Sequence, residues 1–287
     1  CILFSTRSII MFMKLVRSIN IMIDRVENRM QGILSEDAYA HWVGIGRFFR
    51  AMKYADLVFS YGDVPYYDHV VSDSDLDDLY KTRTSRNEVM NAVYDDLKFA
   101  LQNVRENDGN QSVNRYVVAG FISRIALYEG TWQKYYYKNN EQAKKFLDFA
   151  QEAAQEVMNS GKFDIVTEFR TLFTSENLSG NKDCILYRHY DPAVEVTHCI
   201  ASYSNPFESL NYGATSDLIQ SFICNDGIVW QNSQVSNAKK FNVSELIKTR
   251  DPRFEATFYD KPTVKSKGSL LFPAKFFPRE AVRSLES

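Results

Sequence analysis

The amino-acid sequence predicts a mainly α-helical protein in which antiparallel helix pairs are followed by a loop-rich region with short strands. Three observations support this fold class. Apolar residues recur at helical spacing through residues 1–160. Capping residues mark the starts of successive helices. After Gly161 this periodicity is lost, and Gly, Asn, Ser and Pro become frequent.

Two long helices are predicted at the start of the chain. The first covers residues 6–30, and the second begins after Ser35, a good N-cap, and stops at Gly62. Trp42 falls on an apolar stripe of the second helix and is predicted to lie in the core. Other apolar residues fall off that stripe, so this helix is predicted to be buried between neighbours.

Three further helices follow at short spacing. Ser85 and Glu88 have the spacing of a capping box, and later helices are predicted over residues 114–136 and 141–159. Trp132 lies on an apolar stripe and is predicted to be core, while small residues such as Gly130 favour close helix contact. The repeated starts and short turns predict tetratricopeptide-like hairpins in a helical-repeat scaffold over residues 1–160.

Residues 161–287 are predicted to be rich in loops. Residues 184–188 (CILYR) favour a strand, and residues 225–230 (NDGIVW) a turn that leads into a short strand. A soft boundary is therefore placed near residue 160. Because no flexible Gly/Ser or charged run separates the two parts, we predict no linker there.

The composition excludes several classes of protein. A hydrophobic content of 45% suffices for a sizeable core. The net charge is −2 with a pI near 6.2, so the chain has no basic field to attract nucleic acid. The sequence contains no run of 18 apolar residues, so no membrane-spanning helix is predicted. The four cysteines form no C-x-x-C pair, so no zinc ribbon or thioredoxin motif is present.

No motif supports an enzyme. The sequence contains no G-x-S-x-G, H-E-x-x-H or P-loop, and its four histidines are scattered. We therefore predict a non-catalytic protein without a cofactor. Residues 73–78 (DSDLDD) resemble the start of a calcium loop, but an EF-hand needs Gly and Glu where Asp78 and Thr84 stand. A solvated acidic loop is favoured, and a looser calcium site stays open.

Aromatic residues in the loop-rich part are the candidate ligand-binding residues. Rings on loops suit sugar recognition, because the apolar C–H face of a pyranose stacks on an aromatic ring. The alternative is that these rings only anchor irregular structure. The four candidates are Tyr203, Phe207, Tyr212 and Trp230.

Several short motifs occur in an order that resembles the SusD/RagB family of nutrient-binding proteins. Each motif is weak alone, but the ordered set is specific and covers about residues 15–277. One departure is Ile45, where the family usually has Glu. The motifs are GRFFRA at 46–51, YGDVP at 61–65, RTS at 83–85, DLKFA at 96–100, the helix at 115–128, ATSDL at 214–218, DG at 226–227 and RDPRF at 250–254.

The resemblance implies a non-catalytic outer-membrane lipoprotein of the Bacteroidota cell surface. Such proteins bind oligosaccharides and deliver them to a SusC-like TonB-dependent transporter. Two alternatives are a peptide-binding RagB-like component and a helical-repeat scaffold that binds only protein. The resemblance also implies that the sequence is an internal portion without the lipid anchor, in which residues 161–287 are the ligand-facing, C-terminally incomplete part of one SusD-like domain.

Overall fold

The computed structural model describes residues 2–72, 74–109, 111–191, 193, 195–196, 214–259 and 272–273, with side chains from residue 13 onward except at residues 243, 259, 272 and 273. The chain divides into two compact units, residues 1–164 and 165–287. The membership of both parts in one domain stays a prediction. The described chain is mainly helical, as the sequence predicts, and none of its helices is long and apolar enough to cross a bilayer.

The first unit consists of helices. The elements are α1 (Ile2–Arg29), α2 (Glu36–Tyr61), α3 (Leu76–Leu79), α4 (Arg86–Asn103), α5 (Arg115–Trp132), a π-helical turn (Gln133–Tyr137) and α6 (Asn140–Asn159). Side-chain caps begin the helices where the sequence predicts them. Ser35 accepts a hydrogen bond from the Ala38 N–H, and Ser85 and Glu88 form the predicted capping box.

Contacts between the helices show that α2 and α4, and α5 and α6, are antiparallel. Gly44, near the start of α2, lies against Val104 at the end of α4, whereas Arg86 at the start of α4 reaches the Val58 carbonyl near the end of α2. Likewise, Arg115 at the start of α5 lies 4.0 Å from Glu156 near the end of α6. The predicted antiparallel pairs are therefore present.

Two glycines permit the close packing of these pairs. A Cβ at Gly46 would lie 2.5 Å from the Ile23 side chain, so any larger residue there would force Ile23 or the packing of α1 on α2 to shift. At Gly130 a Cβ would lie 2.7 Å from Leu147, which gives the same constraint between α5 and α6. The prediction that Gly130 serves close helix contact is confirmed.

Helix α2 is buried on several sides, as predicted, but its exposed face differs from the prediction. Val43, Phe48 and Leu57 are in the core, whereas Trp42 is 40% exposed. The prediction that Trp42 is a core residue is therefore wrong. Helices α1 and α4 both pack on α2, and the exposure of Trp42 shows that this side chain is not fully covered by neighbouring elements.

The second unit has short elements. These are α7 (Phe169–Thr174), α8 (Ser216–Ser221), α9 (Val243–Thr249), α10 (Arg253–Thr257) and an antiparallel pair of β1 (Phe258–Tyr259) and β2 (Phe272–Pro273). Leu246, Phe254 and Phe258 form its buried cluster, against which Phe222 packs. The strand predicted over residues 184–188 is absent: a turn closed by the Cys184 N–H and the Asn181 carbonyl leads into bends at residues 185–186, and among the described residues no strand pairs with this segment.

Candidate functional site

Trp230 lies at the end of a tight turn in the second unit. The Gly227 N–H donates to the Cys224 carbonyl over 2.8 Å, and the φ of +77° at Gly227 suits glycine. The Cys224 N–H in turn donates to the Ile228 carbonyl over 2.9 Å. The predicted turn is present, but the chain continues from Trp230 into further turns and not into a strand.

Asp226 fixes the loop that follows this turn. Its carboxylate accepts hydrogen bonds from the Ile228 and Gln234 N–H groups, both at 3.1 Å, and from the Ser233 hydroxyl at 2.8 Å. Desolvation acts to raise the pKa of Asp226, but these hydrogen bonds outweigh it and the pKa is lowered. Asp226 therefore holds the loop as a carboxylate.

The Trp230 side chain is half-buried and meets Phe241 edge to face. Their ring centroids are 5.0 Å apart with an interplanar angle of 90°. Phe241, Ile228 and Val229 are all exposed. The loop thus presents two rings and two aliphatic side chains to solvent, an arrangement suited to an apolar ligand face.

A buried arginine supports this aromatic pair from within the unit. Arg250 donates to the Ala238 carbonyl at 3.0 Å, the Thr249 hydroxyl at 2.9 Å and the Cys224 sulfur at 3.4 Å. Its guanidinium carbon also lies 5.3 Å from the Phe241 ring centroid. These bonds tie three separate segments together, so the Trp230 loop is braced at its base.

The structure describes one of the four predicted site residues. Trp230 lies on the described surface, whereas Tyr203, Phe207 and Tyr212 lie outside the described residues. Their role in ligand binding stays a prediction. Sequence reasoning missed Phe241, although it directly precedes Asn242, the N-cap of α9, a position where apolar residues commonly pack against the helix.

A second aromatic surface lies on α5 and on the π-helical turn that follows it, in the first unit. Tyr128, Trp132 and Tyr136 recur every four residues, and neighbouring rings are stacked, with interplanar angles of 14° and 25°. Phe59 of α2 extends this row, its centroid 4.0 Å from that of Tyr128. Trp132 is half-buried, so the prediction that it is a core residue is wrong; its partners lie on the helix surface.

Two carboxylates of the acidic loop, Asp75 and Asp78, make hydrogen bonds to nearby residues. Asp75 caps α3 by accepting from the Asp78 N–H, and the Asp78 carboxylate bonds His69 at 2.9 Å and Lys81 at 3.1 Å. His69 also bonds Asp68 at 2.8 Å. These bonds to Asp68, and then to Asp78, raise the pKa of His69. Within the described residues, no group of three or more His, Cys, Asp or Glu is arranged to hold a metal ion.

Comparison with known proteins gives both sequence and structural relatives. A SusD-like protein of Bacteroides ovatus is 22% identical over 190 residues, which is 66% of this chain and 33% of that protein. SusD-like protein P2 of Formosa agariphila is 29% identical over 140 residues, which is 47% of this chain and 25% of that protein. The chain is therefore similar in sequence to SusD-like proteins. It spans about a third or less of the length of these curated relatives.

Solved structures of SusD-like proteins share the fold. A SusD-like carbohydrate binding protein of Bacteroides fragilis matches with a TM-score of 0.62 at 17% identity, over 84% of this chain and 45% of that chain. A SusD superfamily protein of Parabacteroides distasonis matches with a TM-score of 0.59 at 18% identity, over 95% of this chain and 55% of that chain. No family model matches the chain.

The motifs that resemble the SusD-like family have structural roles in this chain. In the first unit, Arg50 makes a bidentate ion pair with Asp96, at 2.7 and 2.8 Å, and donates to the Asp68 carbonyl at 2.8 Å. Asp63 of the YGDVP segment accepts from the Arg86 N–H at 2.8 Å. Arg86 pairs with the buried Glu129 of α5. These residues join helices and loops, and the candidate ligand contacts lie elsewhere.

Proposed function

We propose that this SusD-like chain binds oligosaccharides at the cell surface and delivers them to a SusC-like TonB-dependent transporter of the outer membrane. The observation that carries the proposal is the edge-to-face pair of the half-buried Trp230 and the exposed Phe241, on a loop braced by Arg250. A pyranose ring presents an apolar C–H face that such rings bind. The fold shared with a protein named as carbohydrate binding gives further support.

The proposed role requires recognition and release without chemistry. Stacking on one or two rings binds a sugar weakly, which suits a protein that must pass its ligand onward. The hydrogen bonds of Arg250 and Asp226 hold the loop in place before the ligand arrives, so little conformational entropy is lost on binding. Tyr203, Phe207 and Tyr212 are proposed to extend the same site.

The binding proposal is tested by titrating the chain with a panel of neutral oligosaccharides in a calorimeter. Replacing Trp230 by Ala removes the stacking ring, and we expect affinity to fall about tenfold. Trp42→Ala is the matched control, because Trp42 is also an incompletely buried tryptophan but lies on α2. Circular dichroism establishes that both variants are folded.

Two results would overturn the binding proposal. One is that Trp230→Ala binds the sugars as tightly as the parent chain does. The other is that the chain binds peptides and none of the sugars, which is the outcome that the RagB-like alternative predicts. Delivery is tested separately, by asking whether the chain co-purifies with a SusC-like transporter expressed beside it.

A further inference from the structure

The end of α5 carries an exposed group of aromatic side chains that the proposed function does not use. We call it the tyrosine face and define it as Tyr128, Trp132, Tyr135, Tyr136 and Tyr137. Tyr135, Tyr136 and Tyr137 are 59%, 71% and 50% exposed. Large rings so exposed contribute little to the core, and clustered exposed rings commonly mark a binding surface.

The tyrosine face is held rigidly by ring stacking. The centroids of Trp132 and Tyr136 are 4.4 Å apart with an interplanar angle of 25°, and the Arg86 guanidinium lies 4.7 Å from the Trp132 ring. Trp132 thus covers one face of the Tyr136 ring. Because Tyr136 remains 71% exposed, its other face is open to solvent. A ligand that stacks there meets a ring that is already oriented.

A local distortion of the helix brings the three consecutive tyrosines to the surface. The π-helical turn Gln133–Tyr137 follows α5 directly, and it ends at Lys138, whose φ is +55°. Gln133 is buried and donates to Glu129 at 2.8 Å and to Asn87 at 2.6 Å, which holds the turn against α4. Such turns occur frequently at functional sites.

The exposed charges of the tyrosine-face segment, residues 120–138, are all basic, and the nearest exposed carboxylate along the chain is Glu141. Residues 120–138 contain three basic residues, Arg124, Lys134 and Lys138, and one acidic residue, Glu129. Glu129 is fully buried and paired with Arg86, so it contributes no negative charge at the surface. The Lys134 ammonium lies 5.4 Å from the Tyr135 ring, so a cation stands directly beside the rings.

We infer that the tyrosine face binds an acidic oligosaccharide, one that carries uronate or sulfate groups. The open ring of Tyr136 stacks on the apolar face of a sugar, and Lys134 and Lys138 pair with its anionic groups. A second copy of the chain is disfavoured, because a two-fold contact would set these cations against each other. A lipid surface is disfavoured because Leu127 is the one exposed aliphatic residue within residues 120–138.

The inference is tested with dextran sulfate and dextran, which share a backbone and differ in charge, and with polygalacturonate as the uronate probe. We expect the chain to bind both acidic polymers and not dextran. Tyr136→Ala should weaken this binding about tenfold, and Tyr136→Phe, which keeps the ring, should restore it. The double variant Lys134→Gln/Lys138→Gln should weaken it and reduce its dependence on salt.

Matched controls distinguish binding at the tyrosine face from nonspecific electrostatic attraction of the acidic polymers. Tyr80→Ala removes an exposed tyrosine on another loop, and Lys98→Gln/Lys182→Gln removes two exposed lysines elsewhere. Both should bind the acidic polymers as the parent chain does. Trp230→Ala should also leave this binding unchanged, so failure here and failure of the proposed function give different results.

Several outcomes would overturn the inference. Equal binding of dextran and dextran sulfate removes the argument from charge. Equal loss in the Tyr136→Ala and Tyr80→Ala variants removes the argument from position. A parent chain that sediments as a dimer, and becomes a monomer with Tyr136→Ala, assigns the face to a second copy. Binding to phosphatidylglycerol vesicles but not to the polymers assigns it to a lipid surface.

Discussion

The two units of the chain differ in the partners of their buried arginines. In the helical unit, Arg50 and Arg86 are paired with the buried carboxylates of Asp96 and Glu129. In the loop-rich unit, Arg250 is also buried, but every hydrogen-bond partner that it has among the described residues is uncharged. Its Nε–H has no hydrogen-bond partner among those residues. The helical unit therefore depends on charge pairs within its core, whereas the loop-rich unit uses one arginine as a multiple hydrogen-bond donor.

This difference has an energetic consequence. A buried ion pair balances its desolvation only while both partners are present, so the loss of one leaves an uncompensated charge. An arginine with neutral partners leaves unsatisfied carbonyl or hydroxyl groups when it is removed, which cost less. Substitutions at the two kinds of arginine should therefore differ in effect even though both side chains are buried.

The largest effect is expected from breaking the Arg86–Glu129 pair. Glu129→Ala leaves Arg86 charged and unpaired in the core, and we expect the free energy of unfolding to fall by about 3–5 kcal/mol. Asp148→Ala is the control, since Asp148 pairs with Lys144 on the exposed surface of α6 and should cost less than about 1 kcal/mol. Denaturant unfolding followed by circular dichroism measures both. Equal losses would contradict a structural role for the buried pair.

A smaller effect is expected at Arg250. Arg250→Met keeps the apolar bulk and removes the hydrogen bonds, with an expected loss of about 1–3 kcal/mol. The matched variant Arg86→Met leaves the Glu129 carboxylate buried and should cost about 3–5 kcal/mol. Hydrogen exchange measured by mass spectrometry assigns each loss to its unit. If Arg250→Met destabilises as much as Arg86→Met does, the contrast between the two units is wrong.

The smallest effect is a pH dependence in the loop before α3. The pKa of His69 is raised by its bonds to Asp68 and Asp78. The stability that it contributes is therefore fully present below its unfolded pKa of about 6.5 and is lost as the pH rises through the higher folded value. An NMR titration should place the His69 midpoint above about 6.5.

A variant at a neighbouring residue tests the cause of this shift. Asp78→Asn removes one carboxylate partner of His69 and should lower its midpoint towards the ordinary value. A midpoint that does not move with this substitution would contradict the assignment. Because the His69 side chain is about half exposed, solvent screens these contacts and the effect on unfolding is expected to be small.

Local signals in the sequence predicted much of the helical unit. The caps at Ser35 and Ser85, the stop at Gly62 and the spacing of apolar residues require only neighbouring residues, and each lies where predicted. The loop-rich unit has few such signals. The strand expected at residues 184–188 needed a partner strand, which no local pattern supplies.

The candidate surfaces were predicted less completely. Trp230 was found because a turn motif precedes it, but Phe241 lies eleven residues later and meets it only through the folding of the loop. The tyrosine face was missed because the spacing of Tyr128, Trp132 and Tyr136 also fits a core stripe. Periodicity identifies a helix face but does not say whether another element covers it.

The sequence by itself determined the capped starts of α2 and α4, the resemblance to SusD-like proteins and the absence of catalytic motifs, because these depend on short-range patterns and on the order of residues. Only the tertiary structure decided which charges meet, as Arg50 and Asp96 do across 46 positions. It also decided that Trp42 is exposed while Phe48 is buried. The physical reason is that the antiparallel register of α2 and α4 sets both outcomes, and that register results from packing over the whole length of the helices.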